Sequence, residues 1–314
     1  MEKKPLVSVC VITYGHEHFI EQSINSILNQ ECDFPIEVIV SNDCSPDNTN
    51  NVIENILKNH PKAKQIRYFN HKINIGAISN FFFSLSECEG KYVAICEGDD
   101  YWIDEKKVQK QIDFLEKNPD YSLCFSSRNT IDNDINLIST DNFEFKDWNT
   151  NDILNGIIPP MQTIISKNLS KEFITFYQKH KGSFGADKIY SYFYSLHGKL
   201  KSIPDITAVY RSNGLGIWSK LDYFEKQFLH IDESLKFYKI IANDEKEFNV
   251  LKQQLFLRII KDIHFSFISK PVQATQIYFK ILAKYKPPLK SVIFARIFFL
   301  KYYLTIIKNK TKNF

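Results

Sequence analysis

The sequence predicts an α/β fold in which helices flank an open, mostly parallel sheet, followed by a C-terminal helical appendage. Over the first two hundred residues, short β-branched segments alternate with segments of helical periodicity. Strands separated by helices of this length pair in parallel through right-handed crossovers. From residue 221 onward only helical periodicity is found. We therefore predict a sheet domain over residues 1–220 and a basic helical region over residues 221–314.

The first part of the chain alternates strand and helix signals. The β-branched runs suited to buried strands are 7–12, 36–40, 66–69 and 92–96. Apolar residues recur at helical spacing over 19–30, 47–57, 78–85 and 104–117. Asp47 or Thr49 is placed to cap the second of these helices, and Pro61 lies beyond its end.

After Pro119 the pattern is less regular. The predicted strands are 121–127, 161–165, 201–203 and 206–210, and the predicted helices are 170–180 and 187–197. Residues 129–160 are polar and are expected to form loops. In an open α/β sheet, ligands bind beyond the carboxyl ends of the strands, so polar residues that follow a strand are the first candidates for a site.

Composition excludes several classes of protein. With 44% hydrophobic and 24% charged residues, the 314-residue chain can bury a large core, which excludes a disordered or collagen-like chain. The beginning of the chain does not resemble a signal peptide, and no run of 18 apolar residues predicts a membrane span. The six cysteines show no C-x-x-C spacing and are expected to be reduced, mostly buried thiols of a cytosolic protein.

Carboxylates follow two of the predicted strands. Asp43 comes directly after 36–40, and Glu97, Asp99 and Asp100 come directly after 92–96. Three carboxylates within four residues repel one another unless a cation lies among them. Oxygen ligands of this kind suit Mg²⁺ or Mn²⁺, which complete their coordination with substrate phosphates. The alternative is a solvated acidic turn that caps the next helix.

The other strand ends also carry candidates. Thr13 and Tyr14 follow the first strand, so polar groups from three strands converge on one sheet edge. The Tyr14 ring suits stacking on a base, although packing at the rim is an alternative. Gly76, after the third strand, allows the backbone to approach a ligand. His16 and His18 are expected to be loop or cap residues rather than ligands.

Five segments, taken together and in order, resemble the inverting family 2 glycosyltransferases, which have the GT-A fold. They are VCVITY at 9–14, SNDCSPDNT at 41–49, NIGAISN at 74–80, EGDDYW at 97–102 and YRSNGLGIWS at 210–219. The last of these resembles a loop found in a bacterial subset of the family. The resemblance covers roughly residues 5–220 and leaves the C-terminal helices outside it.

The resemblance implies roles for the candidate residues. Thr13, Tyr14 and Asp43 would hold the nucleotide base, with Asp43 accepting from a uracil imide. Glu97-Gly98-Asp99 would be the family's D-x-D element. In it, Asp99 would bind the metal, Mn²⁺ or Mg²⁺, and Glu97 would lie near the ribose.

The remaining implied roles concern the sugar and its transfer. Asp100 would lie close to the donor sugar, and Arg211 close to the diphosphate. Asp187, at the start of a predicted helix, occupies the position of the catalytic base; without the resemblance, a helix-capping carboxylate is the alternative. Tyr190 and the aromatic residues that follow it on this helix are expected to pack in the core, with an acceptor-binding wall as the alternative.

The sequence departs from the family pattern at four positions. Asn42 replaces the first acid of a usual pair, and Glu97 replaces the first aspartate of D-x-D. Ser79 stands where many members have arginine, and Asn213 where histidine is frequent. The Q-x-x-R-W signature of processive synthases is absent from the sequence, so transfer of a single sugar is expected.

The implied function is a metal-dependent, inverting transfer from a nucleotide sugar, with UDP as the default nucleotide. The acceptor would be a glycan or lipid-linked hydroxyl in surface polysaccharide, lipooligosaccharide or glycoprotein glycan assembly. One alternative is an inactive scaffold with the same fold. A sugar-1-phosphate nucleotidyltransferase is another, but it should carry a glycine-rich, arginine-containing loop after the first strand, where this chain has Tyr14-Gly15-His16-Glu17.

The C-terminal region is strongly basic. Residues 248–314 contain 13 lysines and arginines but one acidic residue, Asp262. A helix over 289–308 would place a lysine stripe opposite aromatic residues, as in helices that lie in a membrane interface. We therefore expect a cytoplasmic protein at the inner face of the cytoplasmic membrane, although the helix would also suit packing on the sheet domain or on a second subunit. Nucleic-acid binding is not expected, because the tail is largely aliphatic and aromatic.

Overall fold

The computed structural model describes residues 4–180, 186–212, 223–269 and 271–288. These residues belong to two compact units. The sheet unit contains the described residues up to 212, and the helical unit contains those from 223 onward. The predicted boundary at residue 220 lies outside the described residues.

Four parallel strands form one side of the sheet, in the order β3-β2-β1-β4. They are β1 (Val7–Thr13), β2 (Ile36–Asn42), β3 (Ile66–Asn70) and β4 (Tyr92–Ile95). The helices that connect and follow them are α1 (Ile20–Leu28), α2 (Thr49–Asn59), α3 (Ala77–Ser86) and α4 (Lys107–Lys117). Thr13 pairs with Asn42, and Asn42 with Asn70, so the carboxyl ends of three strands are level.

The other side of the sheet is mixed, and the order continues from β4 as β9-β6-β10-β5. Its strands are β5 (Tyr101–Trp102), β6 (Tyr121–Ile131), β7 (Leu137–Asp141), β8 (Lys146–Trp148), β9 (Ile165–Lys167) and β10 (Lys199–Arg211). Only β6 and β10 pair in parallel there. The helices of this part are α5 (Thr150–Leu154), α6 (Ser170–Lys179) and α7 (Ala186–Leu196).

The predicted fold class is confirmed, but three local predictions are wrong. The segment 129–160 contains β7, β8 and α5, because short polar strands pair antiparallel with β6 and β10 at the edge of the sheet. Residues 161–163 form a short 3-10 helix, and the strand there begins at Ile165. The two strands predicted at 201–203 and 206–210 form one long strand, β10, whose pairing with β6 shifts register between Ile203 and Ile206.

The core explains why the first strands are apolar on both faces. Val9 and Val11 on one face and Cys10 and Ile39 on the other are all buried, because helices cover the sheet. The predicted core role of the α7 aromatics is confirmed: Tyr190 is fully buried and packs edge-to-face on Phe173 of α6, with ring centroids 4.8 Å apart. The six cysteines are free thiols, and four of them are buried.

The helical unit consists of α8 (Tyr223–Ile241), α9 (Glu245–Ser269) and α10 (Pro271–Tyr285). Phe237, Leu255 and Phe256 are buried within it. Within the residues described, no helix has both the length and the apolar character needed to cross a membrane. The helix predicted over 289–308 lies outside the described residues.

Candidate active site

A buried carboxylate joins three strand ends at one edge of the sheet. Asp43 follows β2, and its main-chain N–H donates to the carbonyl oxygen of Thr13 at the end of β1 (2.9 Å). Its Oδ1 accepts from the N–H of Ile75 (2.7 Å) and its Oδ2 from the N–H of Gly76 (2.9 Å). Gly76 has φ +87°, which disfavours any side chain there. Asp43 thus fixes the loop before α3, and its oxygens keep lone pairs for a ligand.

The two other residues predicted to hold a base differ in exposure. Thr13 is buried, and its Oγ1 lies 3.1 Å from His16 Nδ1. Tyr14 is 48% exposed, so its ring is accessible to a ligand. Thr13 is the last residue of β1 and Tyr14 follows it; β1 lies beside β2, so both residues share the sheet edge with Asp43.

The acidic segment 97–100 follows β4, which pairs with β1 on the side opposite to β2. The N–H of Gly98 donates to the carbonyl oxygen of Ile12 (2.9 Å), and a Cβ on Gly98 would come within 2.8 Å of the Thr13 side chain. A glycine is therefore needed for this close approach. Asp100 Oδ1 accepts from the N–H of Arg211 (2.9 Å), whereas its buried Oδ2 has no hydrogen-bond partner among the described residues.

The carboxyl groups of this segment are crowded and poorly hydrated. Burial raises the pKa of Glu97 to about 8, and the neighbouring charges of Asp99 and Asp187 contribute to the rise. Burial, followed by the charges of Asp99 and Glu97, also raises the pKa of Asp100 well above its usual range. Without a cation nearby, these carboxyl groups therefore favour the protonated form, and a bound cation would stabilise their ionised form.

This arrangement fits a divalent cation shared with a substrate. Across the described ranges, no group of three or more histidine, cysteine, aspartate or glutamate side chains forms a metal-binding cluster. Mg²⁺ commonly takes one or two protein carboxylates and completes its shell with phosphates and water. Asp100 Oδ2 has no hydrogen-bond partner among the described residues, and Glu97 lies near other carboxyl groups. A cation beside Asp99 would offset the repulsion between these carboxylates.

Arg211 is held firmly at the end of β10. Its guanidinium donates to the main-chain oxygen of Asp99 and to Gln22 Oε1. It also lies over the rings of Phe19 and Tyr101, 5.0 and 4.4 Å from their centroids. Arg211 thus joins β10 to α1 and to the acidic segment, and its predicted contact with a diphosphate stays a prediction.

Asp187 lies in the first turn of α7. Its side chain reaches solvent but has protein packed around it. The resulting loss of hydration raises the pKa of the Asp187 carboxyl, while the charge of Arg128 lowers that pKa. Because its charge is among the causes that raise the pKa of Glu97, the structure brings Asp187 into electrostatic range of the acidic segment. The residues just before α7, 181–185, lie outside the described part of the chain.

Two residues near the site were not predicted. His16 is a loop residue, as expected, but its Nε2 lies 3.8 Å from Asp99 Oδ2, and burial lowers the pKa of its imidazole. Arg128 on β6 donates to Asp141 Oδ2 (2.7 Å) and lies 4.8 Å from the Tyr210 ring centroid. Its charge lowers the pKa of Glu97, one of the acids of the segment. Arg128 comes directly after the predicted strand 121–127, so the same search of strand ends would have found it.

The fold and this edge define a GT-A-type glycosyltransferase fold with an acidic segment beside a candidate base-binding carboxylate. The chain belongs to glycosyl transferase family 2, whose model matches residues 8–177. The family resemblance of the sequence motifs is therefore confirmed.

Several curated relatives match part of this chain. An uncharacterized Mycobacterium tuberculosis protein is 28% identical over 68% of this chain and 60% of its own length. An uncharacterized glycosyltransferase of Haemophilus influenzae is 31% identical over 68% of each chain. A putative teichuronic acid biosynthesis glycosyltransferase of Bacillus subtilis, TuaG, is 32% identical over 36% of this chain and 42% of its own. The chain thus spans about 60% of the length of the mycobacterial relatives it matches.

Solved structures share the fold at low identity. S. aureus TarS in complex with UDP has a TM-score of 0.56 and 18% identity, covering 83% of this chain and 72% of its own. The mannosyltransferase PcManGT from Pyrobaculum calidifontis, in complex with GDP-Man and Mn²⁺, has a TM-score of 0.59 and 14% identity, covering 94% and 80%. At these identities the likeness concerns the fold.

Proposed function

We propose that this chain is an inverting glycosyltransferase that moves a single sugar from a nucleoside-diphosphate sugar to an acceptor hydroxyl. Membership of family 2 supports transfer from a nucleotide sugar. The observation that carries the proposal is that Asp43 and the acidic segment 97–100 meet around Thr13: the Asp43 N–H donates to the Thr13 carbonyl oxygen (2.9 Å), and Gly98 lies against the Thr13 side chain. Such convergence is what distinguishes a site from a solvated acidic turn.

The donor base would bind between Tyr14 and Asp43. A uracil presents an imide N–H that a carboxylate oxygen of Asp43 can accept, and the accessible Tyr14 ring suits stacking on the base. UDP is therefore the nucleotide we propose. A thymine edge would bond in nearly the same way. The complex of TarS with UDP supports a uridine donor for this fold.

Asp99 would hold a divalent ion, Mn²⁺ or Mg²⁺. When bound, such an ion supplies positive charge that stabilises the leaving nucleoside diphosphate. Arg211 adds a fixed cation beside Asp99, and its interactions with Gln22 and the Asp99 carbonyl hold the segment in place. Glu97 would lie near the ribose, and Asp100 near the donor sugar. The Mn²⁺ in PcManGT supports metal use in this fold.

Asp187 would act as the general base. Its carboxylate would take the proton of the acceptor hydroxyl while that oxygen attacks the anomeric carbon from the face opposite the diphosphate, which inverts the configuration. A raised pKa makes a carboxylate a stronger base at neutral pH. General base catalysis of this kind typically contributes about 10²–10⁴-fold to the rate.

The acceptor would be a glycan or lipid-linked hydroxyl of a bacterial surface polysaccharide, lipooligosaccharide or glycoprotein glycan. The similarity to TuaG, a putative teichuronic acid biosynthesis enzyme, supports a surface glycan. The basic tail supports an acceptor at a membrane, because each basic residue near an anionic surface adds about 1 kcal/mol of binding. We propose peripheral contact on the cytoplasmic face.

Release of UDP from a panel of UDP-sugars, with water as the acceptor, tests this function without knowledge of the natural acceptor. We expect slow, Mn²⁺-dependent release from one or a few sugars. Asp187→Asn should slow it by about 10²–10⁴-fold, because the base is lost. Asp134 is exposed on the turn before β7. Asp134→Asn is therefore the matched control and should leave the release of UDP unchanged. UDP binding without release of UDP from any sugar would instead indicate an inactive scaffold.

A further inference from the structure

A histidine and an aspartate meet where two neighbouring strands end. His16 follows β1 and Asp99 follows β4, and these strands pair in parallel, so both residues lie at the same sheet edge. His16 Nε2 lies 3.8 Å from Asp99 Oδ2. Each side chain is 17% exposed, so the space between them is largely enclosed but can be reached from solvent.

The imidazole of His16 is fixed by its surroundings. Its Nδ1 lies 3.1 Å from Thr13 Oγ1, and its main-chain N–H donates to Thr49 Oγ1 (2.9 Å). Its carbonyl oxygen accepts from the N–H groups of Phe19 and Ile20, both at 2.9 Å. When Nδ1–H donates to Thr13, the lone pair of the ring is on Nε2, which faces Asp99. In histidines that bind a metal, the ring nitrogen that does not contact the metal typically donates its N–H to an oxygen.

The separation of the two side chains suits one ion. Two ligand atoms each about 2.1 Å from an octahedral ion are about 3.0 Å apart at a right angle and about 4.2 Å apart when opposite. The observed 3.8 Å exceeds the right-angle separation by about 0.8 Å, so a small rotation of either side chain would bring both atoms onto one ion. Gly98 keeps the approach open, since a Cβ there would lie 3.0 Å from His16 Nδ1.

We infer that His16 Nε2 is the second protein ligand, with Asp99, of the divalent ion in the proposed function, on which this inference rests. The site would then have one nitrogen and one oxygen ligand from the protein and would take the rest of its shell from the diphosphate and water. Mg²⁺ prefers oxygen ligands throughout, whereas first-row transition ions accept imidazole. The site therefore favours Mn²⁺ over Mg²⁺.

Pulsed EPR of the full chain with Mn²⁺ and UDP tests this inference. We expect a nitrogen hyperfine coupling on the bound Mn²⁺, which His16→Gln abolishes together with at least a tenfold loss of Mn²⁺ affinity. His18→Gln is the matched control: this side chain is 80% exposed and faces Glu17 at 3.5 Å, so coupling and affinity should stay unchanged. Thermal midpoints of the variants would confirm that each is folded.

The outcomes separate this inference from the proposed function. Mn²⁺ that binds to the wild type without a nitrogen coupling, and whose binding Asp99→Asn abolishes, would overturn the role of His16 and leave the metal at Asp99. Wild-type protein that binds UDP but no Mn²⁺ would overturn both. The absence of a nitrogen coupling in the wild-type spectrum would overturn the role of His16 whatever the stability of the variants.

Discussion

At the scale of single residues, the site is built by carboxylates that bond to the backbone of neighbouring segments. Asp43 accepts from the N–H groups of Ile75 and Gly76, and Asp100 accepts from the N–H of Arg211. Each of these carboxylates therefore has a structural role besides the ligand role that we propose. Substitutions at such positions combine a loss of binding with a loss of stability, and both must be measured.

Asp43→Ala should lower both the stability of the fold and the affinity for UDP. The partly buried N–H of Ile75 would lose its acceptor, at a cost of about 1 kcal/mol, whereas the N–H of Gly76 would keep Asn74 Oδ1 (3.0 Å) as an acceptor. UDP affinity should fall at least tenfold, since the imide of the base would also lose its partner. Denaturant unfolding and calorimetric titration with UDP measure the two effects. Asp134→Ala, at an exposed turn, should change neither, and wild-type UDP affinity in Asp43→Ala would contradict the base site.

Some residues of the site could be predicted from the sequence, whereas the contact between His16 and Asp99 could not. Asp43 and the acidic residues of 97–100 could be located from the sequence, because position after a strand is visible in the pattern. His16 was expected to be a loop residue, since nothing in the spacing shows that Gly98 lets two strand ends approach closely enough to bring it beside Asp99. Such a contact depends on side-chain direction after two turns, which periodicity does not encode.

At the scale of elements, α4 begins with a buried lysine. Lys107 is fully buried, its Nζ donates to Gln111 Oε1 (2.7 Å), and it lies 4.4 Å from the Trp102 ring centroid. Gln111 in turn donates to the main-chain oxygens of Cys124 and Thr163. This network joins α4 to β5 and β6, directly after the acidic segment. Burial lowers the pKa of Lys107 to about 7.

Lys107 should make the stability of the protein depend on pH. The pKa of a lysine in the unfolded chain is about 10.4, so between about pH 7 and 10 the unfolded state binds a proton that the folded state has released. The free energy of unfolding contributed by this group therefore rises with pH, by at most about 1.4 kcal/mol per pH unit. Denaturant unfolding at pH 6.5 and pH 9 would measure this rise.

Lys107→Met should remove that rise, so its stability relative to the wild type should be greater at pH 6.5 than at pH 9. Lys110→Met is the control. Lys110 is exposed and paired with Asp104 and Asp205, which raise its pKa, so it stays charged over this range in both states. Identical pH slopes for wild type and Lys107→Met would contradict a buried lysine with a lowered pKa.

Elements were predictable where both faces of a strand are buried. β1, β2 and β4 were found because they are mostly apolar and nearly all their residues are buried. β3 is only partly buried and was found from Ile66, Tyr68 and Phe69. The edge strands β7 and β8 were missed, because their side chains are largely exposed and polar and their pairing with β6 and β10 is not local. The irregular register of β10 made one strand resemble two.

At the scale of the whole molecule, charge is unevenly distributed. The last 67 residues contain 13 lysines and arginines and one acidic residue, whereas the rest of the chain is net acidic. The family 2 model matches residues 8–177 of the sheet unit and ends well before the helical unit begins. The basic region is therefore the part of the chain whose role we propose on charge alone.

A chain that ends at Pro288 should bind anionic vesicles more weakly than the full chain. The removed residues include six lysines and arginines, each worth about 1 kcal/mol near an anionic surface. Co-sedimentation with phosphatidylserine-containing vesicles measures this, with pure phosphatidylcholine vesicles as the control. Full sedimentation of the shortened chain would contradict membrane contact through the tail and would favour packing on another protein surface.

The central claim is that the edge formed by Asp43 and Asp99 binds the nucleotide of a sugar donor. Thermal unfolding with UDP, dTDP, GDP or CMP, each with and without Mn²⁺, tests it most directly. A ligand at a hundredfold excess over its dissociation constant stabilises the folded state by about 2.7 kcal/mol, a clear rise in the midpoint. We predict a rise with UDP that requires Mn²⁺ and is lost in Asp99→Asn. No rise with any of the four nucleotides would contradict the claim and leave a family 2 fold without a donor site.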